Sequence, residues 1–353
     1  MPDSPSYRIW NFFTPERVIS GEGAVDALPD QLTALGATRV FVLSTRSLAQ
    51  HVKEIEERIG DRHLGTFVGV RQHTPAGDVS EATQRARGCD AIVAFGGGSV
   101  VDAAKAVAHA LDKPPQITIP TTLSSGEFTP FAGVTDEQTR RKGGVFDPAI
   151  MPRVVIHDPV LARHTPESLW LSTGMRAVDH ALEALWAHRP HPYADTLAVE
   201  ALHRLWTHLP QSRDPGDYSA RTDCLLGAWF SISGILNVGT RLSHPIGHQV
   251  GSFWNVPHGV TSCIALPTVM RHLAPVTGDA QQRIATIFGV ATPAEAAAAL
   301  ERFISELGVP TRLRDTDAVR EEIPLVAAAV RDELAQMGSE EGDAVQELLE
   351  RMW

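Results

Sequence analysis

The chain has 353 residues, of which 43% are hydrophobic and 21% charged, and it carries a formal net charge of −11 with a pI of about 5.7. This length favours two domains over a single core. The acidic balance argues against nucleic acid as a partner, because such a surface repels polyphosphate. An anionic substrate therefore needs a local cluster of positive charge.

The sequence shows no targeting or membrane signal. Met1–Tyr7 contains acid and proline instead of a basic patch and an apolar run. The most apolar stretch, 224–238, is interrupted by serine and glycine and is shorter than the ~20 residues that span a bilayer, so it predicts a buried core helix. Cys89, Cys224 and Cys263 form neither a disulfide framework nor a thiolate zinc pattern. We expect a cytoplasmic protein with no membrane partner.

The N-terminal part of the chain alternates short β-branched runs with helical patterns. This alternation is typical of a parallel, doubly wound sheet. The run at 90–95 is almost wholly apolar, as expected for a strand that is covered on both faces. The predicted strands are 39–44, 65–70, 90–95 and 116–120, and the predicted helices are 47–59, 79–87 and 100–111.

After about Asp158 the sequence shows only helical patterns. The predicted helices are 166–186, 193–209, 221–236, 260–273, 293–307 and 319 to the C-terminus. We therefore predict an N-terminal α/β domain with a doubly wound, Rossmann-like parallel sheet over residues 1–158. An all-α domain is predicted over residues 159–353.

A glycine-rich turn lies between the third predicted strand and the helix that follows it. Glycines let the backbone approach a pyrophosphate closely, and the N–H groups at the helix start point at its charge. Alone, such a turn has an equally good steric explanation. The next strand, however, ends in two threonines, whose hydroxyls are expected at the same crevice. The candidate nucleotide-binding residues are Gly96, Gly97, Gly98, Ser99, Asp102, Thr121 and Thr122.

Histidines cluster in two segments of the second half. His244 and His248 are four residues apart, and His258 follows a proline. Upstream, Arg176 and His180 share one face of a predicted helix. Two helical segments are thus expected to converge four imidazoles and one guanidinium on a cleft. Asp179 is turned about 100° from His180 on a helix and is interpreted as flanking the site. Four other histidines are interpreted as structural: His63, His73, His164 and His208.

These motifs together resemble the iron-containing alcohol dehydrogenase superfamily. The resemblance is carried by 96–105, 120–122, 174–183 and 244–259. Three shorter stretches are specifically similar to the maleylacetate reductase branch: 69–75, 151–159 and 227–229. The resemblance implies a dehydroquinate synthase-like fold, an NAD(P)-binding N-terminal domain, an active site in the cleft between the domains, and a homodimer.

The resemblance also locates a metal position. In the metal-dependent members, the positions of Arg176, His180, His244 and His258 hold the ligands, and the first of these is aspartate. A guanidinium cannot ligate a cation, and its fixed charge opposes one nearby. We therefore expect no metal; a retained metal would be zinc or iron at the three histidines. Maleylacetate reductases also lack that aspartate.

The resemblance implies NADH- or NADPH-dependent reduction of a small anionic substrate, an oxo or unsaturated carboxylic acid. His248 and His244 are expected to donate a proton or to hydrogen-bond the developing enolate. Arg176 suits a bidentate contact with a substrate carboxylate. Lys142 either adds positive charge near the cleft or lies in a solvated loop without a role in the site, and the sequence favours neither. The candidate catalytic residues are His248, His244, His180, Arg176, His258 and Lys142.

Cofactor preference and three rival functions stay open. Thr45 and Arg46 end the first predicted strand, where many relatives place an aspartate on the adenosine ribose. Without that acid a 2′-phosphate is not repelled, so NADPH remains open beside NADH, and Thr45 joins the cofactor residues. Asp102 and Leu123 also depart from the reductases, which commonly carry glycine and tyrosine there. The rivals are a metal-dependent alcohol dehydrogenase, a lyase or cyclase that uses NAD transiently, and a non-catalytic binding protein.

Overall fold

A parallel sheet forms the centre of the N-terminal half. The computed structural model describes residues 10–137, 142–189 and 191–353, and within them this sheet has six strands in the order β1-β8-β5-β4-β2-β3. The strands are β1 (Arg17–Ser20), β2 (Val40–Leu43), β3 (His63–Phe67), β4 (Ala91–Gly96), β5 (Gln116–Pro120) and β8 (Val154–His157).

Helices cover both faces of the sheet. They are α1 (Leu28–Ala34), α2 (Ala49–Ile59), α3 (Ala76–Arg85) and α4 (Gly98–Ala110). One core cluster joins α1 and α2 to one face, and another joins α3 and α4 to the other face. Strands β2, β4, β5 and β8 are therefore buried along their whole length, which explains the continuous apolar sequences of β2 and β4.

The strand order reverses between β2 and β4. From β2 the chain moves outward to β3, and it then returns to place β4 on the other side of β2. In open α/β sheets, ligands bind at the carboxyl ends of the strands where such a reversal occurs. The crevice therefore lies between Ser44 and Thr45 after β2 and Gly97 after β4.

An antiparallel hairpin, not predicted from the sequence, follows β5. It consists of β6 (Phe131–Thr135) and β7 (Lys142–Phe146), paired from Phe131 opposite Phe146 to Thr135 opposite Lys142. Ala132 packs with Ala106 of α4 and with Ile150 in a small apolar cluster. The side chain of Lys142 lies outside the described part of the chain, so its catalytic role stays a prediction.

The second half consists of helices. They are α5 (Pro159–Ala162), α6 (Glu167–Leu185), α7 (Pro192–His208), α8 (Tyr218–Val238), α9 (Ser243–Trp254), α10 (His258–Leu273), α11 (Gly278–Ile287), α12 (Pro293–Glu306), α13 (Ile323–Gln336) and α14 (Val345–Met352). After β8, the described residues contain no strand. The apolar stretch of α8 is a largely buried helix, as its sequence predicted.

The fold class predicted from the sequence is confirmed, and the differences are shifted element ends and elements that were not predicted. Strand β3 spans 63–67 instead of 65–70, and α10 begins at His258 instead of Val260. Besides the hairpin, strands β1 and β8 and helices α1, α5 and α11 were not predicted. We propose that the domains meet between Asp158, which caps α5, and Pro159. Across the described residues, no helix is long and apolar enough to cross a membrane.

Candidate active site

The glycine-rich turn lies where β4 ends and α4 begins. Gly97 precedes α4 in extended backbone, and Gly98 is the first residue of the helix. The amide of Thr121, just after β5, donates to the carbonyl of Gly96 at 3.0 Å. Both strand ends therefore present their following residues at one edge of the sheet, and the helix N-terminus points its free N–H groups toward that crevice.

Two of these glycines are required by close approach of the neighbouring loop. A Cβ atom on Gly97 would lie 2.9 Å from Cγ2 of Thr122, and one on Gly98 would lie 2.8 Å from Oγ of Ser124. Thr122 and Ser124 also hydrogen-bond through their hydroxyls at 3.1 Å. These glycines therefore allow the loop after β5 to pack against the turn, and the N–H groups at the start of α4 are the feature of the turn that suits a phosphate.

Sequence reasoning missed a second element of this crevice. His73 was interpreted as structural without company, but its amide donates to Oγ of Ser99 at 3.1 Å, and the hydroxyl of Thr74 donates to the carbonyl of Ser99 at 3.1 Å. His73 and Thr74 have positive φ angles of 64° and 51°. Two consecutive left-handed residues other than glycine are strained, and such strain often accompanies functional loops.

The other nucleotide candidates lie around the same edge. Ser44 donates its hydroxyl to the carbonyl of Phe95 at 2.7 Å, which ties the end of β2 to the end of β4 and places Thr45 beside the turn. Asp102 lies on the second turn of α4, where its charge acts on the buried Lys105. Burial lowers the pKa of Lys105 to about 8, and Asp102 and Glu127 partly oppose that effect.

A short segment after β5 links the nucleotide crevice to the helical half. The amide of Leu123 donates to Oγ1 of Thr173 on α6 at 3.1 Å. Ser125 donates its hydroxyl to the carbonyl of Ala228 on α8 at 2.9 Å. These bonds bring α6, with its arginine and histidine, alongside the crevice.

Four imidazoles form a row across three helices. The ring centroids of His180 and His244 are 5.2 Å apart, those of His244 and His248 are 6.3 Å apart, and those of His248 and His258 are 5.8 Å apart. His180 and His244 are buried, whereas 48% of the His248 side chain is exposed. The structure therefore brings together all four predicted histidines, and His248 is the most exposed of them.

Arg176 is buried beside this row and pairs with Asp179. Its Nη1 lies 3.1 Å from Oδ2 of Asp179 and 3.3 Å from Oγ of Ser262. Asp179 also accepts hydrogen bonds from Ser243 at 3.0 Å and from Ser262 at 2.6 Å. The interpretation of Asp179 as flanking was wrong, because residues three apart on a helix share a face and Asp179 shares the face of Arg176.

Glu183, one turn further along α6, is the second buried acid of the site. Its carboxylate accepts the backbone N–H groups of Arg241 and Ser243, the latter at 2.8 Å, just where the chain enters α9. Burial raises the pKa of Glu183 to about 8, and the nearby Asp179 raises it further while the two backbone donors oppose the change. At neutral pH this group therefore holds a proton.

Burial and the charge of Arg176 keep the inner histidines neutral. Burial is the larger cause and Arg176 the second, and together they hold the pKa values of His180 and His244 well below the ordinary imidazole value. Within the described residues, Nδ1 of both rings has no hydrogen-bond partner. These two rings are thus available as neutral hydrogen-bonding groups and are poor sources of a proton at neutral pH.

Potential metal ligands also converge here, but in a different set from the predicted one. Among the described residues, ligand atoms of Asp179, Glu183 and His244 lie within 4.8 Å of one another, and His180 and His258 are not part of that group. Both carboxylates already accept hydrogen bonds, and Arg176 lies directly on Asp179. The positive charge nearest to this group is therefore the guanidinium.

The fold and the site define a class of protein. A phosphate cradle at the reversal point of a parallel sheet, facing a cleft of histidines and one arginine, is the arrangement of an NAD(P)-dependent oxidoreductase. The comparisons with known proteins agree. Residues 15–159 match the family model for iron-containing alcohol dehydrogenase, and residues 170–353 match the C-terminal model of the same family.

Individual relatives narrow this class. Maleylacetate reductase 1 of Cupriavidus pinatubonensis is 33% identical over 94% of each chain, and maleylacetate reductase of Burkholderia cepacia is 33% identical over 96% of this chain and 95% of its own. The crystal structure of maleylacetate reductase from Rhizobium sp. superposes with a TM-score of 0.87 at 30% identity, covering 98% of this chain and 99% of that one.

The chain therefore belongs to the iron-containing alcohol dehydrogenase family, in its maleylacetate reductase-like branch. This membership supports a nicotinamide-dependent reductase over the lyase and the non-catalytic protein that the sequence left open.

The phosphate cradle can be tested with Gly97→Ala. The new methyl group would lie 2.9 Å from Thr122 Cγ2, so the turn must open and NAD(P)H affinity should fall by about tenfold or more. The dissociation constant is obtained from the change in fluorescence as the protein is titrated with the cofactor. Adding Thr122→Ser, which removes Cγ2, should restore part of the affinity. Gly278→Ala, where a Cβ meets nothing within 4 Å, is the control; unchanged affinity in Gly97→Ala would contradict this role.

The buried proton on Glu183 predicts a pH dependence of stability. Its pKa is raised from 4.5 to about 8, so between those values the folded state holds a proton that the unfolded chain releases. This contribution to the free energy of unfolding is complete below the lower value and is lost as pH rises toward the upper one. In urea denaturation at about pH 5 and about pH 8, Glu183→Gln should lose less stability than wild type with rising pH. The exposed Glu57→Gln serves as control, and parallel pH slopes for wild type and Glu183→Gln would refute the assignment.

Proposed function

We propose that the protein reduces a small oxo or unsaturated carboxylic acid with NADH or NADPH, without a metal ion, and that maleylacetate is the first candidate substrate. The observation that carries the proposal is the buried guanidinium of Arg176 at the inner end of the histidine row. The similarity to maleylacetate reductases supplies the substrate class.

The donor set fits a metal ion poorly. A divalent ion at His180, His244 and His258 would lie beside a fixed guanidinium charge, whereas the family's metal-dependent members have an aspartate at that position. In the alternative group of Asp179, Glu183 and His244, both oxygens of Glu183 and Oδ2 of Asp179 already accept hydrogen bonds. Among the described residues, this leaves Oδ1 of Asp179 and Nδ1 of His244 as its only two buried ligand atoms without a partner, fewer than a metal site requires. We therefore propose that Arg176 provides the positive charge of the site.

A nicotinamide cofactor, in contrast, fits the residues present. Gly97, Gly98 and Ser99 would hold the pyrophosphate at the start of α4, with Thr122 alongside and Thr45 toward the adenosine. When bound, the cofactor supplies the hydride. Arg46 follows Thr45 and no acidic residue stands in 44–46, so we propose that NADPH is accepted as well as NADH.

The chain's own residues have three tasks in this proposal. Arg176 uses N–H groups that are not engaged by Asp179 and Ser262 to bind a substrate carboxylate. The neutral rings of His180 and His244 donate hydrogen bonds to the oxygen that becomes negative. His248, which is half-exposed, delivers the proton. His258 closes the row, and Lys142 remains a candidate for added charge. A homodimer also remains our proposal, testable by sedimentation.

The reaction itself is the first test. We expect the purified protein to oxidise NADH or NADPH when maleylacetate is added, with the same rate after exhaustive chelation. Loss of activity on chelation, with recovery on adding zinc or iron, would instead favour the metal-dependent alcohol dehydrogenase. No oxidation with maleylacetate would contradict this substrate and direct the assay to other oxo and unsaturated acids.

Substitution of Arg176 tests carboxylate recognition. Arg176→Lys keeps the charge but loses the planar pair of donors, so kcat/KM for an acidic substrate should fall about tenfold, and Arg176→Gln should lower it about a hundredfold. An uncharged ester of the same substrate should lose much less. Arg87→Gln, an exposed arginine near the end of α3, is the matched control. An unchanged KM for the acid in both Arg176 variants would reject the assignment.

A further inference from the structure

His248 has a carboxylate partner that the sequence motifs did not include. Its Nδ1 lies 2.7 Å from Oε1 of Glu333, a residue 85 positions later on α13. The second oxygen of Glu333 accepts a hydrogen bond from Nε2 of Gln249 at 2.6 Å. One carboxylate therefore receives two neighbouring side chains of α9, and one of them is the most exposed histidine of the row.

Glu333 is placed by a well-packed helix. Its flanking residues on α13, Val330 and Leu334, are fully buried, and both belong to the large helical core. A second bond joins the same segments, because Nε1 of Trp254 at the end of α9 donates to Glu322 at the start of α13 at 2.8 Å. The packing of α13 thus fixes the position of the Glu333 carboxylate. A residue that orients another side chain needs such a rigid support.

The chemistry of the pair determines which nitrogen carries the proton. Burial alone would raise the pKa of Glu333, but the hydrogen bonds from His248 and Gln249 outweigh burial and hold that pKa below its ordinary value. The carboxylate is therefore ionised at neutral pH and can only accept. Nδ1 of His248 must then donate, and Nε2 is the ring nitrogen left for the cleft.

We propose that Glu333 is a positioning residue, which holds the His248 ring with Nδ1–H on its carboxylate and presents Nε2 to the substrate. Only the role of Nε2 toward the substrate rests on the proposed function; the orientation of the ring does not. In the reduction, the Nε2–H bond of the imidazolium breaks and its proton joins the substrate that has received the hydride. Nδ1 keeps its hydrogen on Glu333, the carboxylate stays ionised, and solvent returns a proton to the exposed ring.

The ring orientation can be measured without any substrate. Protein labelled with ¹⁵N-histidine is examined by NMR at about pH 9, where ordinary imidazoles are neutral, and His248→Asn identifies the signals of His248. Wild type should show the Nδ1–H tautomer. Glu333→Ala should lose this preference, whereas Glu333→Gln should keep it, because an amide oxygen still accepts. A Glu333→Ala spectrum in which His248 retains the Nδ1–H tautomer would overturn the proposal.

A double-mutant cycle then asks whether Glu333 acts through His248. Glu333→Ala should lower kcat about tenfold and leave the KM for NAD(P)H unchanged, and it should have no further effect in the His248→Asn background. Glu333→Gln should recover part of the rate. Glu322→Gln is the control, since it removes a hydrogen bond between the same two segments without touching an imidazole. If the fold reductions in kcat caused by Glu333→Ala and His248→Asn multiply in the double variant, the proposal is wrong.

The two experiments separate this inference from the proposed function. If Glu333→Ala changes the tautomer but His248→Asn leaves kcat unchanged, the positioning role of Glu333 stands and His248 is not the proton donor. If the tautomer is unaffected while His248→Asn abolishes turnover, the proton donor stands and the positioning role fails.

Discussion

The site depends on the burial of one guanidinium. A charge removed from water is tolerated only with a partner and further hydrogen bonds, so Arg176 requires Asp179, and Asp179 in turn takes the hydroxyls of Ser243 and Ser262. Those serines lie on α9 and α10. The same pair of charges thus fixes three helices around it, and the spacing of the histidine row follows from where these helices are held.

The nucleotide half is determined by steric constraints more than by charge. Glycines at 97 and 98 leave room for Thr122 and Ser124. The strained residues His73 and Thr74 donate hydrogen bonds to Ser99 of the same turn. Leu123 then connects this half to α6 through the hydrogen bond from its amide to the hydroxyl of Thr173. The residues proposed for the cofactor and for the substrate are therefore neighbours, because one short segment contacts both halves.

The sequence was informative where local pattern determines structure. Apolar runs identified the four strands between residues 39 and 120, and the spacing of four residues placed His244 and His248 on one face because α9 is a helix. Contacts between segments far apart in the chain could not be predicted from local pattern. His73 reaches Ser99 only after the sheet has formed, and Asp179 was misplaced because its angular separation from His180 was considered without its spacing from Arg176. Glu333 carried no local signal at all.

The separation of Glu333 from His248 also bears on how the protein is made. During synthesis the N-terminal part of a chain emerges first and generally folds first. The residues assigned to the nucleotide crevice, from Thr45 to Thr122, all leave the ribosome before α6 begins. The partner of His248 emerges 85 residues after the histidine itself. The crevice for the nucleotide can therefore take shape before the helices of the second half have emerged, whereas the histidine row reaches its final arrangement only after α13 has been made.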